Sequence, residues 1–193
     1  MPSTTSSACP TPLPPPPTLE TARLILRPLV EDDLDALTAL HAEESFWWFP
    51  LQRGMTADET RAFMDRVRER TEADGVAMSA AVIKETGELA GWLGLAVPHF
   101  LPEILPAVEV GWRLGERFRG RGYATEGAAA AIGYGFDVLD LDRVVSIFDP
   151  ANVASGRVME KLGFEFERET CDPRTGAPLL VRDLTRARWV ATT

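Results

Sequence analysis

Polar and apolar residues alternate over residues 23–29 (RLILRPL) and the run ends at a proline, which predicts a strand. The next segment, VEDDLDALTALHAE, has acids in its first turn and Leu34, Leu37 and Leu40 at helical spacing, so it predicts a helix. Residues 57–74 carry Phe63, Met64 and Val67 among dense charges and predict an amphipathic helix closed by Gly75. Strands are predicted over 77–84 and 89–97, joined by the turn ETGE, and over 107–114 (AVEVGWRL) after a proline-punctuated loop, PHFLPEILP. A helix is expected over about 123–139 and a short buried strand over 143–150 (RVVSIFDP). NVASGRVMEKLG predicts a further helix, with Asn152 as N-cap and Gly163 as stop. FEFERET and LLVRDLTRARW read as a closing hairpin across CDPRTGAP.

Strand, two helices, an antiparallel meander, then helix, strand, helix and hairpin describe a mixed α/β domain around a largely antiparallel sheet. At 193 residues, 45% of them hydrophobic and 25% charged, the chain fits one domain with a full core, placed at residues 19–193. Residues 1–18 contain seven prolines and neither the basic nor the apolar segment of a signal peptide, so they predict an extended tail. No apolar run approaches the length of a membrane span. Cys9 and Cys171 form no metal-ligand or disulfide pattern, which suits a reducing cytoplasm, and no metal is expected. A net charge of −9 argues against nucleic-acid binding as the main role. It also makes any local cluster of arginines more informative.

Such a cluster is RFRGRGYATEG, residues 117–127, which directly follows a predicted strand and opens a predicted helix. Unpaired backbone N–H groups and the helix dipole make that junction an anion site. Gly120 and Gly122 let a diphosphate approach the main chain, and Arg117, Arg119 and Arg121 add positive charge. GxxxxGK[ST] is absent, and Thr125 stands where GxGxxG needs glycine, so neither the P-loop nor the dinucleotide fingerprint applies.

Arg117-x-x-Gly120-x-Gly122 resembles the Q/R-x-x-G-x-G/A acyl-CoA loop of the GNAT superfamily of N-acyltransferases. TARLILRPL, GYATEG and NVASGRVMEKLGF look like the branch containing the ribosomal-protein N-terminal acetyltransferases (RimJ/RimL-like), and the resemblance covers about residues 19–189. It implies a mixed sheet of about seven strands flanked by about four helices, with a V-shaped splay between the central strands. It also implies direct transfer of an acetyl group from acetyl-CoA to an amine in a ternary complex.

The resemblance assigns the pyrophosphate to the main chain of Arg119 to Thr125, with Tyr123 and Ala124 in the first turn. Trp112 and Leu114 are expected to pair with pantetheine amides, and Asn152 and Ser155 match its Asn-x-x-Ser/Ala positions. Many relatives carry a tyrosine four residues after that Ser/Ala, as acid for the thiolate; here that residue is Met159, which leaves Ser155 as the local hydrogen-bond donor. Glu109 is the expected base. The alternation in VEVGW puts it on the face of Gly111, opposite Val108 and Val110, and burial there would raise its pKa.

The four aromatics of SFWWFP cannot all face one core, so Trp47 and Trp48 are candidate acceptor contacts, as is His99 in the proline-bounded loop; His41 reads as structural. The acceptor could be a protein N-terminus or a small amine such as an antibiotic, amino acid or polyamine. The rival readings are a non-catalytic acyl-CoA-binding module and, poorest, a nucleic-acid binder. A homodimer is compatible with all of them.

Overall fold

The computed structural model describes residues 17–47, 53–76 and 78–192. The proposed tail (apart from its last two residues), Cys9 and Trp48 lie outside these residues.

The first described strands are β1 (Leu19–Glu20) and β2 (Leu24–Arg27). A turn of 3₁₀ helix leads into α1 (Leu34–Ala42), followed by the four-residue α2 (Glu44–Trp47) and α3 (Ala57–Asp74). Thr56 and Glu59 form a reciprocal capping box at the start of α3, and Gly75 closes it at φ 73°, a left-handed conformation that suits glycine. The meander is β3 (Met78–Ile83), β4 (Leu89–Ala96) and β5 (Glu109–Leu114), and it runs into α4 (Tyr123–Asp137). Then come β6 (Arg143–Phe148), α5 (Val153–Lys161), β7 (Glu165–Cys171), β8 (Pro178–Thr185) and α6 (Arg186–Thr192).

The closing segment departs from the expected all-strand hairpin, because β8 gives way to α6 at Arg186. The side chain of Thr185 accepts from the Arg188 N–H, the Arg186 N–H donates to Asp142 O, and Trp189 packs on Phe136. Tertiary anchoring of the aromatic overrides a pattern that continues to alternate.

The eight strands form one sheet in the order β1-β2-β3-β4-β5-β6-β8-β7. All neighbours are antiparallel except β5 and β6, which are parallel through a single register pair, Glu109 with Val145. Beyond that point the strands part, and the Ser146 hydroxyl donates to the Val110 carbonyl at 3.0 Å. This is the expected splay.

Helices cover both faces. Trp92 and Leu93 are adjacent on β4 and point to opposite sides. Trp92 meets Phe63 of α3, whereas a Cβ on Gly127 of α4 would collide with Leu93. Since Trp92 pairs with Arg113 and Leu93 with Trp112, the face of β5 carrying Glu109, Gly111 and Arg113 looks toward α3. Val110, Trp112 and Leu114 look toward α4.

Candidate active site

β5 and β6 are parallel, so both approach the splay with their C-terminal ends. Each is followed by a loop and a helix whose N-terminus points back into the gap, where open α/β sheets place ligands. A cavity of about 310 Å³ opens there.

Strand alternation fixes which groups of β5 face it. The Gly115 N–H donates to Ala90 O on β4, so Gly115 and residues 113, 111 and 109 direct their backbone groups toward β4. Trp112 and Leu114 then direct theirs into the splay, and both residues line the cavity. These are the two positions expected to meet pantetheine amides.

The loop between β5 and α4 presents main-chain donors to the cavity. Gly120 and Gly122 sit at φ 71° and 83°, where a β-carbon is strained, and Gly122 caps α4 with no side-chain bond to the helix. The amides of Tyr123, Ala124 and Thr125 are therefore the free donors of the first turn, and all three residues line the cavity. At the facing helix, the Asn152 side chain accepts from the Ser155 N–H at 3.1 Å, and both residues border the same space. Asn152 is thus both N-cap and wall.

The three arginines divide. Arg119 borders the cavity, but its Nε donates to Leu114 O at 2.8 Å and its Nη2 to Ser45 O. Its guanidinium clamps the loop to α2 instead of facing a ligand. Arg117 pairs with Glu88 at 2.8 Å and lies over the Phe118 ring, and Arg121 is exposed; neither lines the cavity.

Four cations do line it: Arg113, Arg119, Arg157 and Lys161, with no carboxylate among the lining residues. In a chain of net charge −9 that sorting marks an anionic ligand. Arg157 and Lys161 were not anticipated, although their i,i+4 spacing on one face of α5, shared with Ala154 and Val158, was readable. Arg113 was missed as well. Its guanidinium lies 5.8 Å from the Phe46 ring centre and 5.4 Å from that of Trp92, and burial, with Arg119 nearby, lowers its pKa to about 10.

Glu109 stands where β5 and β6 separate, on the opposite face from Val110. A Cβ on Gly111 would lie 3.8 Å from its Oε1, which places the carboxyl beside that glycine as expected. Burial raises its pKa to about 8, against a smaller opposing contribution from the Ile147 backbone N–H. It lies outside the cavity lining.

Met159 is buried in the core that contains Phe148 and Phe164, and Val158 takes the place on the cavity wall. His99 bonds Asp74 at 2.9 Å on the surface, away from the cavity. His41 is a core residue: its Nδ1 lies 3.0 Å from Thr60 Oγ1, and Phe46 and Phe63 meet its ring edge-on. Burial and the Arg113 charge lower its pKa to about 4. Trp47 ends α2.

Residues 23–165 match the family model for the acetyltransferase (GNAT) domain. The chain belongs to the GNAT acetyltransferase family. Members use acetyl-CoA, and the glycine cradle, free helix amides and cationic lining fit its diphosphate. The chain is 34% identical to the uncharacterized protein YkkB of Bacillus subtilis over 110 residues, 57% of this chain and 63% of that one. It is 27% identical to the spermidine N(1)-acetyltransferase of Escherichia coli K12 over 146 residues, 75% of this chain and 74% of the relative. An acetyltransferase structure from Agrobacterium tumefaciens superposes with a TM-score of 0.72 at 29% identity, covering 88% of this chain and 95% of the other.

Proposed function

We propose that this acetyltransferase moves the acetyl group of acetyl-CoA directly to a primary amine within a ternary complex. The observation that carries the reading is the splay itself, which brings two helix N-termini and the edge of β5 around one cation-lined cavity. Acetyl-CoA supplies the activated thioester; the residues of this chain bind, orient and move protons. The amides of Tyr123, Ala124 and Thr125 hold the diphosphate, with Gly120 and Gly122 allowing close approach. Trp112 and Leu114 fix the pantetheine by main-chain pairing, and the Trp112 N–H stands as donor to the developing oxyanion. Asn152 orients α5 so that the Ser155 hydroxyl hydrogen-bonds the departing sulfur.

Glu109 acts as the base through an intervening water, since it lies off the cavity wall. Its raised pKa suits that task near neutral pH, where a carboxylate of ordinary pKa would be too weak a base to accept an amine proton efficiently.

The acceptor we favour is a protein N-terminal α-amine, on the strength of TARLILRPL, GYATEG and NVASGRVMEKLGF together. An α-amine also needs less deprotonation than a lysine, its unperturbed pKa being about 8 against about 10.4. A polyamine is the second reading, motivated by the similarity to a spermidine acetyltransferase. Thiol release from acetyl-CoA, followed with peptides bearing free or blocked N-termini and with spermidine, decides. Turnover only with free N-termini supports the first reading, and turnover with spermidine alone overturns it. Binding of acetyl-CoA with no turnover on any amine would make the chain a binding module.

A further inference from the structure

We infer that Arg23, which lies outside the cavity lining and was given no role above, is a positioning residue that aims the diphosphate cradle. Its Nη1 donates to the Arg121 carbonyl at 2.9 Å. A trans peptide directs its C=O and N–H to opposite sides, so fixing that carbonyl toward Arg23 turns the Gly122 N–H the other way, toward the cavity that Gly122 lines. Gly122 follows at φ 83°, and a Cβ there would sit 3.3 Å from Arg23 Nη2. The guanidinium also lies 4.6 Å from the Tyr123 ring centre, bracing the first residue of α4.

The arginine is itself held in a fork. Its Nε and Nη2 both lie 2.6 Å from Glu126 Oε2. Oε1 of the same glutamate accepts from the Arg23 N–H at 2.8 Å and the Thr21 hydroxyl at 2.6 Å. This network ties the start of β2 to the first turn of α4. It also places a cation beside the acid in the first turn of α4, where Glu126 alone would repel a phosphate. A lysine offers the charge without the planar fork, so it cannot bridge the Arg121 carbonyl and both edges of this geometry together.

The inference rests on acetyl-CoA as the bound ligand. It is tested by comparing R23A, R23K and wild type with two donors, acetyl-CoA and S-acetylpantetheine, which lacks the diphosphate. Both variants are expected to raise the Kd for acetyl-CoA, measured calorimetrically, by at least roughly tenfold, the cost of a lost charged hydrogen bond. The kcat/KM for S-acetylpantetheine and the KM for the acceptor should stay within about twofold of wild type. E126Q in the R23A background should restore part of the affinity by removing the uncompensated charge. A merely structural arginine would depress both donors alike, and that result overturns the proposal. R23A binding acetyl-CoA as tightly as wild type overturns it too, leaving the reading of the cavity intact. A wild-type protein that fails to bind acetyl-CoA overturns both.

Discussion

At its C-terminal end β5 runs into a loop that presents main-chain amides to the cavity, and at its N-terminal end it carries Glu109, whose raised pKa comes from burial. The two ends lie on one six-residue strand, yet sequence bears on them in different ways. An amide cradle has a local signature: strand, glycines able to take φ near 70–80°, and an uncapped helix start. A carboxyl with a pKa near 8 has none, because its value is set by burial in the assembled sheet, opposed by the Ile147 N–H of a neighbouring strand. Backbone sites are written locally, and tuned side chains are written in the packing.

Substituting each end in turn separates binding from chemistry. The largest effect is expected for E109Q, which should lower kcat by about 10²- to 10⁴-fold with the Kd for acetyl-CoA unchanged in calorimetry. In wild type, kcat/KM should climb with pH through an apparent pKa near 8, since only the deprotonated carboxylate is a base. The E109Q profile should lose that limb and keep only the acceptor amine's own titration.

G122V acts at the other end. Strain at φ 83° and contact with Arg23 should raise the Kd for acetyl-CoA by roughly 100-fold, with a smaller fall in kcat at saturation. S155A should cost about two- to tenfold in kcat, the value of one hydrogen bond to the leaving group. H99A should leave both constants within about twofold, because His99 bonds Asp74 away from the cavity.

Stability against pH sharpens the same contrast. The folded-state pKa of Glu109 is raised above its unfolded 4.5 to about 8, so the folded chain holds a proton that the unfolded chain releases. Its contribution is present below 4.5 and lost as pH rises toward 8. His41 runs oppositely: lowered from 6.5 to about 4, it contributes above 6.5 and loses that contribution as pH falls through 4. Urea unfolding of wild type and E109Q across this range should show wild type losing ground between pH 4.5 and 8, with the difference gone below 4.5.

Periodicity carried most of the fold. The bounds of α3 and its glycine stop were legible because charge pattern, capping box and Gly75 agree. The helix at 186–192 was not, since TRARW continues an alternation that the Thr185 cap, the Arg186–Asp142 bond and the Trp189–Phe136 contact interrupt. The splay was reached through resemblance, as no single strand sequence encodes where its neighbour departs. In the site, both glycines of the loop border the cavity, whereas the arginines beside them are placed differently from one another. Arg119 is occupied by carbonyls, Arg117 and Arg121 lie off the cavity, and the cations at its wall are Arg113, Arg157 and Lys161 as well. An arginine's place in sequence says little about where its charge, at the end of a long flexible side chain, will sit.

The most direct test of the central claim is the thermal unfolding midpoint with and without acetyl-CoA, for wild type and G122V side by side. At 100 times Kd, ligand binding stabilises the native state by about 2.7 kcal/mol, a shift easily resolved in a chain of this size. A clear rise for wild type and little or none for G122V at the same concentration is the predicted result. An equal rise in both, or none in wild type, would contradict a main-chain cradle at the end of β5.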